Sequence, residues 1–383
     1  MSKRAGTGLK TVGLFSGIGG LELGLTRAGH EIALLCEIDP AARAVLKTRF
    51  SGIEIKEDIR LIPKLPRETE LVAAGFPCQD LSQVGPTRGM RGEKSSIVSQ
   101  VFKLLKKTRA QWVLLENVPF MLRLHRGAAI RHITSRLEGL GYSWAYRTVD
   151  TRSFGLPQRR ERVFLLAGLN EEPWRKLYEH HFVQAPACLK EGPPCGFYWT
   201  EGNRGLGWAP HALPTLKGGS GLGIPSPPAI WLRDGSIVTP DIRDAERIQG
   251  FAVDWTKPAE SQTTRGARWR LVGNAVTTNV SEWLGHLLAN GHSANPENLE
   301  SLQKSDPWPT AAMGYKGERF AVPTSKWPVK RKAKSIEDFL RYEPRPLSYR
   351  ATSGFWERLK ASPLNYPADF AEALMSHIRK TKD

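Results

Sequence analysis

The stretch Thr11-Val-Gly-Leu-Phe-Ser-Gly-Ile-Gly-Gly20 is the starting point for the fold. Its first half is a short apolar run typical of a buried strand, and its glycines predict a tight turn that opens a helix over residues 21–28. Glycines there let the backbone approach a ligand and leave the helix N-terminus free for polar groups. The turn alone fits a dinucleotide site, an adenosylmethionine site or a plain tight turn, but its spacing is not the dinucleotide Gly-x-Gly-x-x-Gly.

Strands and helices continue to alternate up to about residue 170. Apolar runs predict further strands at Glu31–Cys36, Leu71–Ala74, 112–115 and 163–168, with helical patterns between them. This alternation predicts the α/β class, with a Rossmann-like, mostly parallel sheet and helices on both faces. The unbroken run Val113-Leu-Leu115 fits a sheet that is buried on both sides.

The pattern changes near residue 171 and again near 295. Residues 190–240 are rich in Gly and Pro and have weak periodicity, which indicates a smaller, loop-rich domain. Helical patterns return over 241–249 and 274–289. After residue 295, prolines such as those in Asp306-Pro-Trp-Pro309 indicate extended structure. Two more helices are predicted over 335–341 and 368–380.

The composition points to a polyanionic partner. The 383 residues include 55 Lys and Arg against 38 Asp and Glu, a formal net charge of +17, and proteins this basic usually bind polyanions. No apolar run approaches the roughly 20 residues that span a bilayer, and the N-terminus has no apolar signal core. We therefore expect a cytoplasmic protein with no membrane partner.

The four cysteines have no spacing typical of a metal or redox motif, and four in a chain this long do not form a disulfide scaffold. They are Cys36, Cys78, Cys188 and Cys195. We expect no metal site. A single cysteine in a special sequence context then becomes a candidate for chemistry.

Polar residues follow several predicted strands. Glu37-Ile-Asp39 comes directly after the second strand, where an acid can hold the hydroxyls of a ribose. Asp58 follows a third apparent strand segment at 53–55, where a carboxylate can accept a hydrogen bond from an adenine amino group. Because open α/β sheets bind ligands at the carboxyl ends of their strands, these acids together with the glycine turn predict a ligand site.

Reactive groups occur at the same predicted edge. Gly75-Phe-Pro-Cys-Gln79 follows the strand at Leu71–Ala74, and Glu116-Asn-Val118 follows the strand at 112–115. Gln158-Arg-Arg-Glu-Arg162 precedes the strand at 163–168. A thiol, a carboxyl group and arginines at one sheet edge form a plausible site of covalent catalysis.

Taken in order, these motifs resemble those of the bacterial cytosine-5 DNA methyltransferases of restriction-modification type. Two later segments extend the match, Arg243-Asp-Ala-Glu-Arg-Ile-Gln-Gly-Phe251 and Gly273-Asn-Ala-Val276. Each motif alone is weak, but the ordered set is specific, and it spans residues 11–290, about three quarters of the chain.

The resemblance implies catalytic roles for four residues. Cys78 would attack carbon 6 of a flipped cytosine, and Glu116 would hold the ring at N3 and the exocyclic amine. Arg162 and Arg160 would contact the base O2 and the nearby phosphate. The covalent adduct makes carbon 5 nucleophilic enough to accept a methyl group. Base flipping costs roughly a few kcal/mol, and residues 82–96 are the expected moving loop.

The resemblance also implies S-adenosyl-L-methionine as the methyl donor, released as S-adenosyl-L-homocysteine. Phe15 would stack on its adenine, Glu37 would hold its ribose, and Asp58 would bind its adenine amine. The full implied pocket comprises Phe15, Ser16, Gly17, Gly19, Gly20, Glu37, Ile38, Asp58, Ile59, Pro77, Ile97, Asn274 and Ala275.

The implied domains are 1–170 for catalysis and cofactor binding, 171–240 for target recognition, 241–294 as a return segment that completes the catalytic domain, and 295–383 as a C-terminal extension. Thr215-Leu216, with glycines close behind, resembles a segment of the recognition domain. The extension is expected either to contact DNA through the basic run 330–334 or to brace the small domain.

The expected partners are double-stranded DNA and a cognate restriction endonuclease on a separate chain, with the enzyme itself a monomer. A transfer-RNA methyltransferase is the alternative enzyme, although its Cys-Phe-Thr triplet is missing. A DNA-binding module without catalysis is a second alternative, and the intact Cys78, Glu116 and Arg162 argue against it. The glycine spacing argues against a nicotinamide dehydrogenase.

Overall fold

The computed structural model describes residues 8–76, 97–179, 192–218, 227–290, 295–332 and 334–382. These residues form two compact units. The first contains the described parts of Met1–Asp150, Glu161–Ala185 and Val276–Lys330. The second contains those of Thr151–Arg160, Pro186–Ala275 and Arg331–Asp383. Within these ranges, no helix is both long and apolar enough to cross a membrane.

The first unit alternates strands and helices over most of its length. Its elements are β1 (Lys10–Leu14), α1 (Gly20–Arg27), β2 (Glu31–Cys36), α2 (Pro40–Arg49), β3 (Glu54–Lys56), β4 (Leu71–Ala74), α3 (Ile97–Thr108), β5 (Trp112–Asn117), α4 (Ala128–Glu138), β6 (Tyr142–Asp150), β8 (Glu161–Leu169), α5 (Pro173–Leu177), α8 (Thr278–Ala289), β14 (Glu300–Ser301), β15 (Ala311–Tyr315) and β16 (Glu318–Ala321).

These strands form one sheet in the order β14-β16-β15-β6-β8-β5-β4-β1-β2-β3. The strands from β5 to β3 pair in parallel, whereas β8 runs antiparallel to both β5 and β6. All four residues of β4 are fully buried, as expected for a strand covered on both faces. The predicted α/β class with a large, mostly parallel sheet is confirmed.

The strand order reverses between β1 and β4. The chain runs outward from β1 through β2 to β3 and then returns to place β4 on the other side of β1. Ligands of open α/β sheets bind at such a switch point, beyond the carboxyl ends of the strands. The glycine turn, Glu37 and Gly75 follow β1, β2 and β4 and therefore belong to this edge.

Helix α8, the last part of the predicted return segment 241–294, packs against α1, whereas residues 241–275 belong to the second unit. The Ser281 hydroxyl donates to the carbonyl of Gly20 at 2.7 Å. A Cβ on Gly24 would lie only 2.1 Å from Ser281 Oγ. The two helices therefore approach closely because Gly24 has no side chain.

The second unit contains short strands and helices. Its elements are β7 (Gln158–Arg159), β9 (Cys195–Phe197), β10 (Ala209–Pro210), β11 (Leu213–Pro214), β12 (Ala229–Trp231), β13 (Ile237–Thr239), α6 (Ile242–Ile248), α7 (Arg268–Asn274), α9 (Ile336–Phe339), β17 (Arg345–Pro346), α10 (Tyr349–Lys360) and α11 (Ala368–Lys380). A five-stranded sheet has the order β10-β9-β12-β13-β17, and β11 pairs with β7.

The C-terminal helices complete the core of the second unit. The Phe197 ring of β9 lies 5.1 Å from the rings of both Phe355 on α10 and Phe370 on α11, measured between centroids. All three side chains are fully buried. Residues 331–383 thus brace this unit.

The observed units divide the chain differently from the predicted ranges. The segment 295–330 adds β14 to β16 to the main sheet, because β15 pairs with β6. Residues 151–160 belong to the second unit, because β7 in this segment pairs with β11.

Candidate active site

The glycine turn folds over the end of β1. Phe15, Gly17 and Gly19 all have positive φ, at 58°, 54° and 85°. The Ser16 amide donates to the carbonyl of Cys36 at the end of β2, at 3.0 Å. A left-handed conformation is uncommon for a residue with a Cβ. Phe15 adopts it here because the hydrogen-bonded turn around it fixes its backbone.

Glu37 ties the glycine turn to the end of β2. Its Oε2 accepts the Gly17 amide at 2.7 Å, and its Oε1 accepts the Asp39 amide at 2.8 Å. A carboxylate oxygen has two lone pairs, so each oxygen keeps capacity for a ligand hydroxyl. This arrangement is compatible with the predicted ribose contact, and the two backbone bonds hold the carboxylate in place.

The other predicted pocket residues have contrasting surroundings. Asp58 accepts hydrogen bonds from the amide of Arg60 at 2.8 Å and from its Nε at 2.9 Å, and these bonds hold the pKa of Asp58 below its usual range. The Arg60 side chain is 59% exposed, and so exposed a pair is weak. Ile38 is 63% exposed, whereas Ile59 lies in the core at 4%. Ile97 packs against the same core from the start of α3.

Glu22, which the sequence analysis did not single out, lies beneath the glycine turn. It is fully buried on α1, and a Cβ on Gly13 of β1 would lie 2.2 Å from its Oε1. Burial raises the pKa of Glu22 to about 7, and the nearby Glu37 charge adds to the rise. The sequence signal was a single acid among the apolar residues Leu21 and Leu25.

Glu116 and Arg162 meet where β5 ends and β8 begins. The distance between Arg162 Nε and Glu116 Oε1 is 3.0 Å, and the two side chains are only 14% and 11% exposed. Because β8 runs antiparallel to β5, its first residues lie beside the carboxyl end of β5. Burial lowers the pKa of the Arg162 guanidinium, and Glu116 opposes that shift. The predicted carboxylate and arginine are therefore brought together.

The residues just before the predicted nucleophile are held from β5. The Asn117 side chain donates to the Phe76 carbonyl at 3.0 Å. A Cβ on Gly75 would lie 3.4 Å from Glu116 Oε2. Pro77, Cys78 and the expected moving loop 82–96 lie outside the described residues. The anchoring role of Asn117 was not foreseen, although its place after Glu116 at a strand end was a signal.

Two other cysteines are in environments that suppress thiolate chemistry. Cys36 and Cys195 are buried free thiols, and burial raises the pKa of each to about 12. A thiol with such a pKa is protonated at neutral pH and is a poor nucleophile.

Arg160 has surroundings unlike those of Arg162. Its guanidinium is fully buried in the second unit and donates to the carbonyls of Leu216, Gly273 and Ala275, at 3.1, 3.2 and 2.6 Å. These bonds tie the segment before β8 to the end of α7. They favour a structural role for Arg160 over the predicted contact with the base.

Asn274 and Ala275 also lie in the second unit. Asn274 is exposed and ends α7, and a Cβ on Gly218 would lie 2.5 Å from its Oδ1. Ala275 is buried and accepts the Arg160 bond described above. The contact predicted for both residues at the methionine end of the cofactor stays a prediction.

Comparison with known proteins extends the match over nearly the whole chain. Residues 9–192 match the family described as C-5 cytosine-specific DNA methylase. Type II methyltransferase M2.BsuMI of Bacillus subtilis (strain 168) is 47% identical over 380 residues, covering 96% of this chain and 97% of the relative. Type II methyltransferase M.NgoBI of Neisseria gonorrhoeae is 26% identical over 299 residues, covering 71% of this chain and 90% of the relative.

A solved structure has a similar fold. The crystal structure of S. pombe Dnmt2 methyltransferase aligns with a TM-score of 0.56 at 17% identity, covering 73% of this chain and 98% of that one. At this identity the likeness concerns the fold alone.

Proposed function

Because the chain belongs to the C-5 cytosine-specific DNA methylases, we propose that it methylates carbon 5 of cytosine within a specific sequence of double-stranded DNA. The relatives named as Type II methyltransferases support a role as the modification enzyme of a restriction-modification system. A cognate endonuclease on another chain, a monomeric enzyme and a cytoplasmic location are parts of the same proposal.

The observation that carries the proposal is the buried Glu116–Arg162 pair beside Gly75, near the start of the Pro77–Cys78 segment. Glu116 would bind N3 and the exocyclic amine of the flipped cytosine and favour protonation at N3 as the thiolate adds. Arg162 would hold Glu116 in place and bind the base O2. Asn117 would fix the chain that leads to Cys78 through its bond to Phe76.

In the proposed reaction, the Cys78 thiolate bonds to carbon 6 of cytosine and breaks the aromaticity of the ring. Carbon 5 becomes nucleophilic as a result, because covalent addition divides one difficult step into easier ones. Once carbon 5 carries the new methyl group, a base removes the proton that remains there, and the electron pair left behind re-forms the C5–C6 double bond and expels the Cys78 thiolate from carbon 6. A thiolate suits both ends of this sequence, since it is a strong nucleophile and a workable leaving group.

The residues at the switch point fit S-adenosylmethionine, the methyl donor that this family implies. When bound there, the cofactor supplies an electrophilic methyl group. The Glu37 carboxylate has acceptor capacity for ribose hydroxyls, and Ile38 exposes an apolar side chain that an adenine ring would cover. Asp58 would accept from the adenine amine if Arg60 gives way, and the surface pair costs little to break.

The second unit is proposed to read the DNA sequence through the part of the predicted recognition segment 171–240 that it contains, from Pro186 onward. Incubation of the purified enzyme with tritiated S-adenosylmethionine and either plasmid DNA or transfer RNA tests the substrate class. We expect label in DNA that bisulfite sequencing places at cytosines in one sequence context. Label found only in RNA would replace this proposal with the transfer-RNA alternative.

A further inference from the structure

Three cations of the C-terminal extension have no protein partner among the described residues. Arg331, Lys332 and Lys334 are exposed, and their side chains form neither an ion pair nor a hydrogen bond within the described chain. The next acids along the chain, Glu337 and Asp338, are within 3.0 and 3.3 Å of Arg233 Nη1. Their charge is therefore already partly neutralised. We call Arg331, Lys332 and Lys334 the basic strap.

The backbone of the basic strap is fixed at its first end to the segment before β8. The Arg331 amide donates to the Ser153 carbonyl at 3.0 Å. A Cβ on Gly155 would lie 3.1 Å from the Lys332 carbonyl oxygen and 3.3 Å from Arg331 Cβ. Gly155 has φ of 81°, so both its conformation and the close approach favour glycine.

The second end of the strap is fixed to His211. The Ile336 amide donates to the His211 carbonyl at 2.8 Å, and His211 Nδ1 lies 3.3 Å from the Ser335 hydroxyl oxygen. The Ile336 side chain is fully buried. The main chain is thus anchored on both sides of the run, while the cationic side chains stay in solvent. Holding the charges in this way reduces the conformational entropy that a polyanion would lose on binding them.

We propose that the basic strap binds the sugar–phosphate backbone of the DNA substrate, outside the bases that are recognised. A cluster of fixed cations without acidic partners matches the regular negative charge of a duplex. DNA is the proposed substrate of this chain. The basic strap packs on the stretch Thr151–Arg160, and this stretch continues directly into β8. This inference adds a sequence-independent contact to the proposed function and rests on it.

Contacts with DNA phosphates make binding depend more steeply on salt concentration, whereas contacts that only stabilise the second unit do not. Each neutralised phosphate adds about 0.9 to the slope of log affinity against log salt concentration. Substituting all three cations with alanine should therefore lower that slope by roughly 2 to 3 and weaken binding about 10- to 100-fold near 0.1 M salt. The thermal midpoint should stay unchanged, since the anchoring bonds come from the backbone and from Ser335.

The test is a salt titration of full-length protein with a fluorescent DNA duplex of arbitrary sequence, read by anisotropy. The alanine variant carries Arg331→Ala, Lys332→Ala and Lys334→Ala. One control keeps the charges with Arg331→Lys, Lys332→Arg and Lys334→Arg. A second control removes three exposed lysines elsewhere, with Lys64→Ala, Lys304→Ala and Lys382→Ala.

We expect a lower slope in the strap variant and wild-type slopes in both controls. Equal slopes in the wild type and the strap variant, or an equal loss in the remote control, would overturn the phosphate contact. If the triple variant unfolds, single substitution of Lys334 should still lower the slope by about 1. Wild-type protein that fails to bind the duplex at all would count against the proposed function itself, so the two failures are distinguishable.

Discussion

Each unit contains a buried arginine–glutamate pair, and the two pairs differ in how they are satisfied. In the second unit, Arg268 Nη2 lies 2.9 Å from Glu246, and the arginine also donates to Thr256 and Glu260, each at 2.8 Å. In the first unit, Arg162 donates to Glu116 and to the carbonyl of Glu161, but its Nη2 makes no hydrogen bond within the described chain.

The difference distinguishes a pair that stabilises the fold, Arg268–Glu246, from a pair at a ligand-binding edge, Arg162–Glu116. Arg268 uses its donors within its own unit, which leaves little capacity for a ligand, and its side chain is only 3% exposed. Arg162 and Glu116 are nearly as buried, yet Arg162 Nη2 makes no hydrogen bond within the described chain, and the pair lies at a sheet edge where ligands bind. Breaking the Arg268–Glu246 pair should therefore reduce the stability of the fold. Breaking the Arg162–Glu116 pair should reduce the rate of catalysis.

The largest expected effect is at Glu116. Replacement of Glu116 by Gln removes the carboxylate proposed to bind N3 and should lower the methyl-transfer rate by up to about 10⁴-fold, equal to about 5 kcal/mol of barrier. Single-turnover transfer of tritiated methyl groups measures this rate. Glu161→Gln is the matched control, since Glu161 pairs with Lys326 on the surface, and its rate should stay near wild type. Equal losses in both variants would contradict the catalytic role proposed for Glu116.

Arg268→Met should have the next largest effect, on stability. Removing one partner of a buried cluster leaves Glu246 with an uncompensated charge and should destabilise the protein by about 3 to 5 kcal/mol. Urea unfolding followed by fluorescence measures the change. Lys326→Met, which breaks a partly exposed pair with Glu161, should cost less than about 1 kcal/mol. A small effect of Arg268→Met would show that this pair is not a structural element.

Glu22 is a buried carboxyl group that pairs with no arginine among the described residues. Its pKa is about 7 when folded and 4.5 in the reference state, so the unfolded chain loses this proton at lower pH than the folded one. The free energy of unfolding should then fall between about pH 4.5 and pH 7 and level off above, by about 3 kcal/mol in total.

Glu22→Gln should remove this pH dependence and should stabilise the protein at pH 8 relative to wild type. Thermal unfolding of both proteins from pH 5 to pH 8 measures the difference. Parallel curves with the same slope would show that Glu22 ionises in the folded chain as readily as in the unfolded one.

The parallel half of the sheet was predictable because its strands are local patterns. The bounds of β2 and β4 match the predicted runs, since the apolar run of β2 ends at Glu37 and that of β4 lies between Glu70 and Gly75. The motif order likewise predicts Glu37 and Glu116 at strand ends. Strand β6 was missed because it mixes polar and apolar residues. Its Arg147 is nevertheless fully buried, where it donates to the carbonyl of Ser325 at 2.8 Å.

Other features of the fold and the site depend on contacts between residues that lie far apart in the sequence, and these could not be predicted. Nothing local in residues 311–315 indicates pairing with β6, and nothing local in Phe370 indicates a neighbour at Phe197. Arg160 and Arg162 are equivalent in the motif, and only their packing separates a buried tie to backbone carbonyls from a partner of Glu116.

Methylation as proposed requires a covalent bond between Cys78 and carbon 6 of the target cytosine, and a DNA duplex containing 5-fluorocytosine traps that bond. In the presence of S-adenosylmethionine, the fluorine at carbon 5 blocks the final elimination, so wild-type enzyme should remain attached to DNA under denaturing electrophoresis. Cys78→Ser should abolish the shifted band, whereas Cys36→Ser and Cys195→Ser should retain it, since both thiols are buried. A shifted band that persists in Cys78→Ser would exclude Cys78 as the nucleophile.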